Sequence, residues 1–100
     1  MYQFVLQFPA SSMAEYNAVV ALEDLLIDGL GDDEVDGHDV GGGEMNLFIW
    51  TRNPRGTLDR VQTLMKDHPL ADSLLAGFRD EGDDSYTPLW PEGLERFDVL

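Results

Sequence analysis

Cysteine is absent from all 100 residues, which excludes disulfides, thiolate metal sites and thiol catalysis together. A disulfide-free chain of this size is at home in a reducing cytoplasm. Bases are scarce as well: six Lys and Arg stand against twenty Asp and Glu, giving a formal net charge of −14. No Lys or Arg precedes Arg52, so the first half of the chain carries −10 and the second half −4. Such a field repels nucleic acid and anionic membrane and attracts cations or a basic protein surface. A long hydrophobic run is also missing, and Met1 to Phe8 lacks the basic start of a signal peptide. The expectation is a cytoplasmic protein that binds neither nucleic acid nor membrane.

The chain is nevertheless rich enough to fold. A hydrophobic share of 43% with ten aromatic residues is that of one globular domain spanning residues 1–100, and the acidity does not imply disorder. Tyr2, Phe4, Leu6 and Phe8 alternate with Gln3, Val5 and Gln7 and predict a first strand ended by Pro9. Ser12-Met-Ala-Glu15 reads as a capping box. Tyr16, Val19, Val20, Leu22, Leu26 and Ile27 then recur at helical spacing until Gly29 or Gly31.

Asp32 to Val40 is polar and reads as a short edge strand, its acids discouraging sheet-to-sheet aggregation. Gly41-Gly-Gly43 turns the chain into the clearest strand, Glu44 to Thr51, with Met45, Leu47 and Ile49 on one face and Phe48 and Trp50 on the other. Asn53 and Pro54 open a second helix that buries Leu58, Val61, Leu64 and Met65 and breaks at His68-Pro69. A further helical stretch is expected through Leu70, Leu74, Leu75 and Phe78. After an acidic turn at Asp80–Asp84 comes a last strand, Ser85 to Trp90, and an amphipathic tail with Leu94, Phe97, Val99 and Leu100. The order β-α-β-β-α-β predicts an α+β, ferredoxin-like two-layer sandwich. Its antiparallel sheet, in order 4-1-3-2, carries both helices on one face and leaves the other open.

Chemistry concentrates between Asp32 and Asn46. Asp32, Glu34, Asp36 and Gly37 occupy the first, third, fifth and sixth places of a calcium loop. The register then fails, because the twelfth place is Gly43 and a strand follows instead of a helix. A looser metal site from Asp36, His38, Asp39 and Glu44 suits a hard or borderline divalent ion, although solvated acids give the same pattern. The three glycines open a strand among acids, not a helix beside a lysine, which argues against a phosphate cradle. Of the two histidines, His68 fits a helix C-terminus, and His38 among acids is a surface residue or a general base. No catalytic motif, cofactor or metal is expected. Trp50, Tyr86 and Trp90 lie on predicted strands, with Tyr86, Pro88 and Trp90 sharing a face; they belong either to the core or to a binding surface anchored by aromatics.

The stretch Val35-Asp-Gly-His-Asp-Val-Gly-Gly-Gly-Glu-Met-Asn-Leu-Phe-Ile-Trp-Thr51, followed by Asp84-Ser-Tyr-Thr-Pro-Leu-Trp-Pro91, resembles a group of small bacterial single-domain proteins. The resemblance implies, by analogy of class, an immunity-type role. The expected function is therefore an acidic interaction protein, most concretely an inhibitor of a basic toxin or effector. Its partner-binding residues would be Asp32, Asp33, Glu34, Asp36, His38, Asp39, Glu44, Trp50, Tyr86 and Trp90. The alternatives are a small-ligand or regulatory module using the open sheet face, and a metal-dependent enzyme built on Asp36, His38, Asp39 and Glu44. An exposed apolar sheet face would favour a homodimer.

Overall fold

Strand β1 (Tyr2–Pro9) is buried on both faces from Phe4 to Phe8, so it can only be a central strand. The computed structural model describes residues 1–31 and 33–99; readings that fall on Asp32 and Leu100 lie outside them. The remaining elements are α1 (Met13–Gly29), β2 (Glu34–Gly41), β3 (Glu44–Thr51), α2 (Pro54–Leu64), a short 3-10 turn at Ala71–Ser73, β4 (Leu75–Asp80) and β5 (Thr87–Trp90). They form an α+β two-layer sandwich. The sheet is antiparallel with five strands in order β2-β3-β1-β4-β5.

Local signals start and stop the helices as the side chains dictate. The Ser12 hydroxyl accepts from the Glu15 N–H at 3.1 Å, and the Glu15 carboxylate reaches back to the Ser11 N–H at 3.1 Å. The first bond satisfies a donor that the first helical turn leaves free, and the second ties the residue before the N-cap to that turn. At α2 the Asn53 side chain accepts from the Gly56 N–H at 3.1 Å, with Pro54 just inside the helix. The β2–β3 hairpin turns at Gly42 and Gly43, whose φ values of 60° and 79° are the positive pair that a two-residue type I′ loop demands.

One core gathers both helices on one face of the sheet. Phe4, Leu6 and Phe8 of β1 stand beside Ile49, Leu47 and Met45 of β3, under Val19, Leu22 and Leu26 of α1 and Leu58 and Val61 of α2. Helix α1 buries a narrower stripe than its spacing suggested: Tyr16 and Ile27 are exposed. Leu64 is only half-buried, packed on the core beside Gly29.

The C-terminal half departs furthest from the sequence reading. The expected helix through Leu70–Phe78 is instead the 3-10 turn followed by β4, and β4 takes the place beside β1 that was expected for Ser85–Trp90. The spacing of Leu70, Leu74, Leu75 and Phe78 suits a helix, yet residues 75–80 pair one for one with β1 from Gln7 back to Tyr2, and that tertiary pairing outweighs the local preference. The last strand shortens to β5 and adds to the outer edge of β4. With five strands, the ferredoxin-like description applies only loosely.

The second face of the sheet is not wholly open. The tail folds back across β1 and β4, burying Phe97 and the adjoining Val5. An alanine Cβ at Gly77 would fall 2.4 Å from the Phe97 ring, so the missing side chain at Gly77 is what lets the ring lie on the sheet. No helix among the described residues is long and apolar enough to cross a membrane.

Candidate functional site

Alternation along β2 and β3 decides which acids stand together. On β3, Met45, Leu47 and Ile49 enter the core, so Glu44, Asn46, Phe48 and Trp50 face away from the helices. Glu34 pairs with Trp50 and Asp39 with Asn46, which puts both acids on that same outer face. Strict alternation from Glu34 would put His38 there too and turn Asp39 towards the helices.

A β-bulge between Val35 and Gly37 changes the parity. Gly37, at φ 115°, supplies a conformation that side-chain-bearing residues rarely adopt. Through it Asp36 stays on the outer face, where its carboxylate accepts from the Trp50 indole N–H at 3.1 Å. Asp39 also points outward and accepts from the Asn46 amide at 3.1 Å. His38 turns to the helix side, where its Nδ1 lies 3.1 Å from the Glu23 carboxylate of α1. Tyr16 packs edge-on against the same ring.

Glu34, Asp36 and Asp39 thus line the β2 flank of half-buried Phe48 and Trp50, with Glu44 on the same face at the hairpin end of β3. Among the described residues none of these four acids forms an ion pair. Asp36 and Asp39 are held by the neutral donors of Trp50 and Asn46, so the face carries negative charge that no cation of the described residues offsets.

The boundary of this patch is a polar chain that the sequence did not reveal. Buried Gln7 donates through its amide to the Asn46 side-chain oxygen at 3.0 Å and to the Asp98 carbonyl at 2.8 Å. Asn46 in turn donates to Asp39. The tail, β1, β3 and β2 are therefore linked by consecutive hydrogen bonds. The only hint in the sequence is a Gln and an Asn in the middle of strongly apolar strands.

Several expected site residues do other work. Asp33 accepts from Thr57 at 2.7 Å and pairs with Arg60 at 3.1 Å, tying the approach to β2 onto α2. Tyr86 precedes β5, and its hydroxyl donates to Gln3 at 2.6 Å while its ring meets Phe97. Trp90 does not share its face: a second bulge, between Ala76 and Gly77, pairs it with core-facing Ala76, and it packs against the core on the helix side. Tyr86 and Trp90 are thus drawn into the fold on opposite faces of the sheet. Asp32 lies outside the described residues.

The candidate metal constellation is split by the same bulge, with His38 on one face of the sheet and Asp36, Asp39 and Glu44 on the other. Among the described residues no three His, Asp or Glu side chains converge to hold an ion. A cleft of about 490 Å³ opens at the end of β3, lined by Asp33, Trp50, Thr51, Arg52, Asn53, Arg60 and Met1. It lies at the rim of the sheet and not on its open face, and Arg60 there is already bonded to Asp33 and to the Leu30 carbonyl. Comparison with family models, with curated proteins and with solved structures finds no match to this chain.

Proposed function

We propose that the chain is an acidic interaction protein that binds a basic protein, in its most concrete form an immunity-type inhibitor of a toxin or effector in the cytoplasm. The observation that carries this reading is the row of four acids, Glu34, Asp36, Asp39 and Glu44, beside Phe48 and Trp50 on one face, none of them in an ion pair among the described residues. Aromatic groups supply contact area at a centre from which water is excluded, and the surrounding charge speeds encounter and rejects wrong partners. Two of its acids are oriented by hydrogen bonds, Asp36 from Trp50 and Asp39 from the Asn46–Gln7 chain, which lowers the cost of ordering them on binding.

The test begins with capture of the partner from the native cell and continues with surface plasmon resonance across a salt series. Charge concentrated on one face should raise the association rate about tenfold or more at low salt. The rate should fall as the screening length shortens to about 8 Å at physiological ionic strength. Replacing Asp36 and Asp39 by Asn and Glu44 by Gln keeps the shapes and removes the charges. That triple variant should weaken the complex far more than the same change at exposed Asp67, Asp72 and Glu95. A partner that ignores both salt and the triple variant sinks the reading.

A further inference from the structure

Among the described residues strand β2 is the outermost of the sheet and pairs only with β3, so one side of its backbone from Glu34 to Gly41 has no strand beside it. An unpaired edge is a template for another strand, and acids or a bulge normally blunt it. Here the acids of the strand itself lie on one flank only. Glu34, Asp36 and Asp39 point to the open face of the sheet, whereas the helix side of the same edge is largely apolar, interrupted at its middle by the mutually bonded His38 and Glu23.

That apolar wall comes from α1. Met13 and Ile27 are 73% and 57% exposed, large values for such side chains, and they align with Tyr16 and half-buried Val20 at spacings of three, four and seven. Tyr16 and Glu23 both touch His38, so this stripe runs along the outer flank of β2. Val40, 55% exposed, adds to it from the strand itself. A strand laid beside β2 would meet on one face an apolar wall broken by the His38–Glu23 pair, and on the other an acidic one.

We propose that β2 accepts an extended segment of a basic protein as a sixth strand. Its apolar side chains would lie against Met13, Tyr16, Val20 and Ile27, and its Lys or Arg side chains would meet Glu34, Asp36 and Asp39. The proposal rests on the basic-partner reading above and adds the mode of binding. Successive side chains of a strand point to opposite faces, so the edge selects an alternating apolar–basic segment while main-chain bonds supply affinity. A second copy of this chain is the competing occupant, and charge opposes it. Each copy carries a formal net charge of −14, and bringing two such acidic edges together sets like charge against like.

The probe is an end-capped octapeptide of alternating Lys and Val, compared with its Glu–Val counterpart and with versions N-methylated at every Val or at every Lys. Binding to the full chain is titrated at low salt, and exchange of the Glu34–Gly41 amides is followed by NMR. The Lys–Val peptide should bind and slow exchange of the outward β2 amides about tenfold or more. One of the two methylated versions should fail, because only alternate residues of the added strand face β2. Ile27→Ser, on an exposed position, should weaken binding without unfolding the chain. Undiminished binding of both methylated peptides with no protection of β2 overturns strand addition and leaves the basic-partner reading standing. Equal binding of the Glu–Val peptide, or no binding of the Lys–Val peptide, overturns both. A dimer with protected β2 amides in the absence of peptide gives the edge to a second copy and overturns the proposal.

Discussion

Replacing Gly77 by Ala perturbs one contact and tests how the tail limits the open face. The backbone at Gly77 does not require glycine, since its φ lies outside the positive region. The obstruction is the Phe97 ring, whose Cδ1, Cγ and Cε1 would stand 2.4, 2.6 and 3.0 Å from the new Cβ. Carbon atoms settle at about 3.5–4.0 Å, so the ring must retreat by about 1 Å or leave its site. Overpacking of this kind costs about 1–3 kcal/mol, which for a 100-residue domain corresponds to a fall in Tm of about 4–24 °C. Phe97→Ala itself should cost up to about 3–5 kcal/mol, the range for a buried Phe. The double variant decides the mechanism: once Phe97 is Ala, the change at Gly77 should be nearly neutral, a coupling of about 1–3 kcal/mol. Urea denaturation of the four proteins measures it. A Gly77→Ala penalty that is the same in both backgrounds refutes the contact and with it the docked tail.

Leu6→Ala, in the middle of β1 and fully buried, should cost about 2–5 kcal/mol in denaturant midpoint terms, whereas half-buried Leu64→Ala should cost less; equal costs would contradict the assigned core. Gly37→Ala meets no atom within 4 Å, so its penalty of about 1–3 kcal/mol would be backbone strain alone. NMR contacts between His38 and Tyr16 should weaken with it, and their persistence at unchanged stability would refute the parity argument. Because the acids and His38 point to opposite faces, calorimetry with calcium, magnesium, zinc and manganese should show no one-to-one binding at micromolar affinity. Tight binding lost in Asp36→Asn or His38→Ala would restore the metal-dependent alternative.

The sequence by itself determined whatever depends on a few neighbouring residues. Ser12 with Glu15 and Asn53 with Pro54 start helices because the groups that satisfy the free backbone donors lie within four positions. Gly42 and Gly43 fix the hairpin because few other residues take positive φ, and the alternation from Met45 to Trp50 fixes both faces of β3. The acidic edge at β2 was legible for the same reason, since charge and position along the chain are both written there. Tertiary structure decided the rest. Residues 75–80 are a strand because they pair one for one with β1, and no pattern within the segment shows which neighbour it will find. Two bulges, at Val35–Gly37 and at Ala76–Gly77, reverse the side-chain parity downstream of them. They separate His38 from Asp36 and Asp39, and Trp90 from Tyr86. A bulge is one residue of mismatch between two strands, so it exists only in the pairing and is invisible in either strand alone. The same holds for the tail: Phe97 finds its site because Gly77, twenty positions earlier, presents no side chain to the sheet face on which the ring comes to rest.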